Sequence, residues 1–189
     1  GTIMKNLTLC KFDSETDIEQ LQAWKKLYKS MPEYQKIVQY VLSGSEKDSV
    51  DRLLLDLHDR YQIGDNEINL VLVAKDENQK IVGAMVVNYY GYMKKYPACY
   101  IHYIFTNPEH TKQGVAKFML TEFLTNIEKY LNAKPYEVFA NIKRSNKPSL
   151  SLFKSVGFSS AAEFERRFIQ MRVRFAELQA DLSSQQKFE

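Results

Sequence analysis

Cysteine is scarce in this chain of 189 residues: only Cys10 and Cys99 are present, and no Cys/His pair has metal-ligand spacing. That argues against a disulfide framework and a structural zinc, and no metal site is expected. No apolar run approaches the roughly 18 residues of a membrane-spanning helix, and no secretory signal pattern is visible. Charge of one sign is also lacking. A net charge of +3 and a pI near 8.7, with both signs interspersed, are too mild for a nucleic-acid or membrane-surface partner. Five prolines and seven glycines leave no low-complexity linker, and there is no internal repeat. What is present is ordinary globular composition, 44% hydrophobic and 26% charged, long enough for one domain with a sizeable core. Residues 1–4 read as a tag remnant and start, 5–175 as the folded domain and 176–189 as a C-terminal tail. A cytoplasmic domain is the default expectation.

The most specific layout lies at IHYIFTNPEHTKQGVA, Ile101 to Ala116. Ile101, Tyr103 and Phe105 alternate with His102, Ile104 and Thr106, as a strand requires. Pro108 lacks an N–H and ends the ladder. From Lys117, Phe118, Met119, Phe123, Leu124, Ile127 and Leu131 fall at helical spacing, to about Asn132. A strand that delivers a glycine loop to a helix N-terminus is an anion site, because the first-turn amides and the helix dipole both favour a phosphate.

Elsewhere, residues 5–12 alternate as a first strand, and Thr16 or Asp17 can cap a helix. Three helical faces follow: Ile18 to Tyr28, Tyr34 to Leu42, and about Ser49 to Tyr61. Ile68 to Lys75 and Ile81 to Tyr90 read as strands joined by the turn Asp76–Gln79, with Gly83 at a bulge or twist. A strand from Tyr136 to Ile142, a helix from Asn146 to Val156 and a last strand from Phe164 to Phe175 complete the reading. The arginines of that last strand are taken as solvated first and functional second, and the tail from Ala180 as frayed.

Two motifs together resemble the GCN5-related N-acetyltransferase (GNAT) family over about residues 5 to 175. The first is Thr111-Lys112-Gln113-Gly114-Val115-Ala116, preceded by Asn107-Pro108-Glu109. The second runs from Asn146 through Ser149 and Phe153 to Gly157-Phe158. The resemblance implies an α/β (α+β) fold: a central mixed, mostly antiparallel twisted sheet flanked by helices, with the cofactor at a splay between the fourth and fifth strands. It implies acetyl-CoA as cosubstrate. Backbone groups of Ile104, Phe105 and Thr106 would pair with the pantetheine arm, and a strand amide there would stabilise the oxyanion. Amides and side chains of Thr111, Lys112, Gln113, Gly114, Val115, Ala116 and Lys117 would hold the pyrophosphate, with Asn146, Ser149 and Phe153 nearer the pantetheine end. For Asn146, a helix N-cap is an equal reading, and both roles can hold at once.

Two departures stand out. Thr111 replaces the usual Arg or Gln of the loop, so Lys112 or Lys117 would have to compensate. Phe153 replaces the tyrosine that protonates the leaving thiolate in many members, so Tyr100 or Tyr103 would have to serve. An amine nucleophile must also lose a proton. His102 is the candidate base: histidine titrates near neutrality, and the position matches a histidine of the arylalkylamine branch. Asn141 stands where some members carry a glutamate, and Glu137, His58 and His110 are weaker candidates.

The reading is transfer of an acetyl group from acetyl-CoA to a primary amine, of a small molecule or a protein, by direct attack. The partner is that amine, and the enzyme is a monomer or homodimer. The alternative is a non-catalytic acyl-CoA-binding regulatory module. A nucleotide-binding loop is weaker still, since Gly114 is followed by Val115-Ala116 and not by the Lys-Ser/Thr of a P-loop. The acceptor is expected to be framed by the helical region before the second strand, by Tyr89 to Tyr96 and by Phe164 to Met171.

Overall fold

The computed structural model describes residues 2–13, 15–17, 19–20, 23, 67–164 and 167–178. In chain order the elements are β1 (Thr8–Lys11), β2 (Glu67–Lys75), β3 (Ile81–Tyr90), β4 (Ala98–Thr106), a 3-10 turn (Pro108–His110), α1 (Val115–Thr125), α2 (Ile127–Leu131), β5 (Glu137–Lys143), α3 (Lys147–Ser155), β6 (Ser159–Phe164) and β7 (Phe168–Arg174). The described strands form a mixed, mostly antiparallel sheet of order β1-β2-β3-β4-β5-β7-β6, flanked by helices. β4 and β5 run parallel, whereas β1–β2, β5–β7 and β6–β7 are antiparallel. The helices expected between residues 18 and 61 lie outside the described residues, except that Glu19, Gln20 and Ala23 are helical. The tail from Ala180 lies outside them too.

The chain divides into two compact units: Gly1–Tyr61, Leu70–Val86 and Tyr103–Met119 form one, and Gln62–Asn69, Val87–His102 and Leu120–Glu189 the other. In the first unit β1 pairs with β2 from Thr8↔Lys75 to Lys11↔Leu72. Val71 to Ala74 and Ile81 to Val86 are buried almost without interruption, which explains their lack of polar alternation. The turn after β2 is closed by Asp76, whose Oδ1 accepts from the N–H groups of Asn78 (2.8 Å) and Lys80 (2.9 Å). Gly83 serves a close helix approach. A Cβ there would lie 2.7 Å from Met119 Cε and 2.8 Å from Val115 Cγ1. The glycine thereby sets how near α1 comes to β3 in this unit. The carboxylate of the buried Asp17 takes the Lys75 ammonium at 3.0 Å and the Asp13 N–H at 2.8 Å, so this charge is paired and hydrogen-bonded.

In the second unit β5 and β7 pair along their full length, from Glu137↔Arg174 to Lys143↔Phe168. The β4–β5 ladder covers Ala98–Tyr100 against Glu137–Phe139, and both strands run on past it. Leu120, Phe123, Leu124, Ile127 and Leu131 are buried, which fits the helical spacing read from the sequence.

Two element expectations need correction. The helix expected to reach Asn132 is interrupted at Asn126 (φ −118°, ψ 31°), whose side-chain amide donates to the Glu122 carbonyl (3.2 Å) and carboxylate (3.0 Å). The last strand, expected from Phe164 to Phe175, is β7 at Phe168–Arg174, and a further strand, β6, precedes it at Ser159–Phe164. β6 was missed because SSAAEF carries no apolar alternation, and its register shift between Ser160 and Ala162 breaks the period further.

Replacing Gly83 with valine should lower the unfolding free energy by about 1–3 kcal/mol in urea titration, because the branched Val115 cannot swing aside. Gly83→Ala should cost less, since its Cβ meets Val115 and Met119 without the two further methyl groups that valine adds. Equal urea midpoints for all three proteins would show that this contact does not hold the helix.

Candidate functional site

The end of β4, the following loop and the start of α1 belong to the first unit. Phe105 is buried, while Ile104 and Thr106 on the other strand face are half-buried. The strand is closed off by Asn107. Its N–H donates to the Val82 carbonyl (2.8 Å), and its Oδ1 accepts the Glu109 N–H (3.0 Å), capping the 3-10 turn. His110 Nδ1 lies 3.3 Å from Gln113 Oε1. Lys112 and Gly114 both adopt left-handed backbone, with φ of +61° and +81°. Only the glycine does so without strain.

The Gly114 carbonyl accepts the Phe118 N–H at 2.9 Å, the first i→i−4 bond of α1. The amides of Val115, Ala116 and Lys117 therefore precede the intrahelical ladder. No acidic residue sits in this first turn, and Lys112 and Lys117 are exposed beside it. Nothing in the first turn cancels the positive end of the dipole. The donor set fits a pyrophosphate. The N-terminal residues also reach this loop: the Met4 N–H donates to the Gln113 carbonyl (2.9 Å), and Ile3 lies 3.2 Å from where a Gly114 Cβ would stand.

The first half of β4 belongs to the second unit, where Tyr100 and His102 share one strand face. The Tyr100 ring stacks on Phe139 (centroids 4.9 Å) and on His102 (5.3 Å). Burial pushes the Tyr100 phenol above its ordinary pKa, and a hydrogen bond from Asn141 opposes that rise. On the same face Gln170 Nε2 donates to Asn141 Oδ1 at 3.3 Å, Arg172 donates to Gln170 Oε1 at 2.6 Å, and Arg172 lies 3.8 Å from the Glu137 carboxylate. The Arg172 side chain, read from the sequence as solvated, is 43% exposed and also engages Gln170 and Glu137, because the β5–β7 register sets these side chains on one face. The signal was the i, i+2 spacing of Gln170 and Arg172, which a strand turns into neighbours.

Tyr103, the other tyrosine offered as acid, is 4% exposed and lies on the opposite strand face from His102, with its ring 5.8 Å from Phe105. Asn146 caps α3: its Oδ1 accepts the Ser149 N–H at 3.2 Å, and the residue is buried. Phe153 is 4% exposed and packs edge-on against Phe158 at 4.9 Å. A cavity of about 420 Å³ is lined by Lys143, Arg144, Ser145, Lys147 and Arg167.

The sequence model of the Acetyltransferase (GNAT) family matches residues 23–158. The chain belongs to that family. It is accordingly an acyltransferase, with the general GNAT activity of acetyl-CoA-dependent acetyl transfer to amines. Among solved structures it is similar to the aminoglycoside N(6′)-acetyltransferase of Legionella pneumophila (16% identity, 94% of this chain and 98% of that one, TM-score 0.65). It is also similar to the spermidine N-acetyltransferase of Vibrio cholerae in complex with CoA and spermine (17%, 93% and 99%, TM-score 0.63). A third is the ribosomal-protein-S18-alanine N-acetyltransferase of Escherichia coli (13%, 89% and 94%, TM-score 0.55). At these identities the likeness shows the GNAT fold. No curated protein sequence matches.

Asn146→Ala should cost about 1 kcal/mol of stability through loss of the cap. Asn146→Asp keeps the capping oxygen but loses the amide donor. A CoA affinity that falls in the Asp variant while its melting temperature holds would separate cofactor contact from capping.

Proposed function

We propose that this chain transfers the acetyl group of acetyl-CoA to a primary amine, of a small molecule or of a peptide or protein, by direct attack of the amine on the bound thioester. The observation that carries this reading is the start of α1: a glycine at φ +81° before a helical first turn without an acid. Backbone amides from Gly114 to Lys117 would bind the pyrophosphate oxygens. Lys112 and Lys117 would supply the positive charge that Thr111, a neutral residue, does not carry. Gln113 and the amides of Ile104, Phe105 and Thr106 would orient the rest of the cosubstrate, and Asn146 and Ser149 would contact its pantetheine end.

Acetyl-CoA supplies the acyl group and a thiol leaving group. His102 would take the proton from the attacking amine. Its half-exposed position on the face of Tyr100 supports that role. The burial of Tyr103 on the other face makes Tyr100 the better supported proton donor. Phe153, packed on Phe158, is better read as a wall than as a group doing chemistry. A cytoplasmic location and a monomeric or homodimeric state complete the reading. The two free thiols, Cys10 and Cys99, are in keeping with a reducing compartment.

Two experiments test it. His102→Ala should lower kcat by about 10²–10⁴-fold while CoA affinity, followed by calorimetry, stays near wild type; an unchanged rate removes His102 as base. Gly114→Val should instead weaken CoA binding at least about tenfold, because a branched residue resists φ +81° and crowds the phosphate approach. Intact affinity in that variant would remove the loop assignment.

A further inference from the structure

We propose that Arg172, Gln170 and Asn141 form a one-way hydrogen-bond relay that holds the Tyr100 hydroxyl as a proton donor in the acetyl transfer. The relay would make the first three positioning residues and Tyr100 the catalytic acid that Phe153 is not. The proposal rests on the reading above.

The argument is one of polarity. A guanidinium has donors and no acceptor. Arg172, held beside the Glu137 carboxylate at 3.8 Å, therefore dictates that Gln170 present its oxygen, and that contact is 2.6 Å. With its oxygen committed, Gln170 has only its amide nitrogen to offer across the ladder. The nitrogen meets the oxygen of its register partner Asn141 at 3.3 Å. Asn141 then has its own NH₂ to present to Tyr100, whose ring stacks on Phe139, two residues before Asn141 on the same strand face. In the relay the phenol oxygen accepts from that NH₂, so its single proton is directed elsewhere. Stacking of the Tyr100 ring between Phe139 and His102 fixes the ring plane as well. A side-chain amide alone could face either way, with little difference in shape. The cation at the far end removes the choice, and a chain of aligned dipoles strengthens each link.

In the reaction the C–N bond forms and the C–S bond breaks, its electron pair leaving with sulfur. The amine proton goes to His102. The Tyr100 proton goes to the sulfur, and the phenolate left behind keeps the Asn141 N–H bond until it regains a proton from solvent. His102 then returns its own proton to solvent.

The test follows the Tyr100 phenol in the full chain labelled with ¹³Cζ-tyrosine, with Tyr100→Phe assigning its signal. Gln170→Leu cuts the relay yet leaves the charges of Arg172 and Glu137 in place. The Tyr100 midpoint should rise by about half a pH unit or more in Gln170→Leu and in Asn141→Leu, since a lost donor disfavours the phenolate. It should stay near wild type in Arg172→Lys, which keeps a donor-only cation. In parallel, kcat should fall roughly tenfold in Gln170→Leu and further in Tyr100→Phe, with KM for acetyl-CoA little changed. Urea midpoints of all variants check that the fold is kept. An unmoved midpoint in Gln170→Leu, or full kcat in Tyr100→Phe, overturns the proposal. Should the wild-type protein release no thiol with any amine, the acetyl-transfer reading falls on that result, and the Gln170→Leu midpoint still decides the relay.

Discussion

The alternation of side chains along β4 is the constraint on which the rest of the site depends. A strand turns successive residues to opposite faces, so burying Ile101, Tyr103 and Phe105 commits Tyr100, His102, Ile104 and Thr106 to the other face. Each fully buried side chain of that size stabilises by about 1.5–3 kcal/mol relative to exposure. A slip of one residue would forfeit several such terms and reverse both faces. The chemistry thus inherits its register from the core. The same constraint separates the two tyrosines that composition alone leaves equivalent: one is a core residue, and the other shares the histidine's face.

The second determinant is electrostatic and local. The start of α1 gathers orphan amides, a dipole end and two exposed lysines, with no acid in its first turn. Such a turn favours anions by its backbone. Gly83 contributes indirectly. By letting Val115 and Met119 approach β3, it sets the position of the helix whose first turn is proposed to bind the pyrophosphate.

Position 153 carries a phenylalanine, which has no proton to donate. Phe153 is absorbed into packing against Phe158. On the β4–β5–β7 face, by contrast, an arginine, a glutamine and an asparagine stand in donor-to-acceptor order behind a phenol that stays protonated at neutral pH. The network is half-buried, and the Arg172 Nε–H is a buried donor without a partner among the described residues. Its directionality comes from the one group that cannot accept.

By itself the sequence determined the elements with a strong period and the two motifs. The 101–106 alternation, the glycine before α1 and the Asn146 cap follow from local chemistry that acts within a few residues. The family followed from those motifs, residue by residue. Where the period was weak the reading failed: SSAAEF offered no apolar alternation, so β6 went unseen, and Asn126 broke a helix whose hydrophobic spacing continued through it. Tertiary structure alone decided which side chains meet. Gln170 and Asn141 lie 29 residues apart and become neighbours only through the β5–β7 register. Gly83 is explained by a helix that begins some thirty residues later. Pairing between distant strands is set by how the whole sheet buries its faces, and no local window of sequence contains that information.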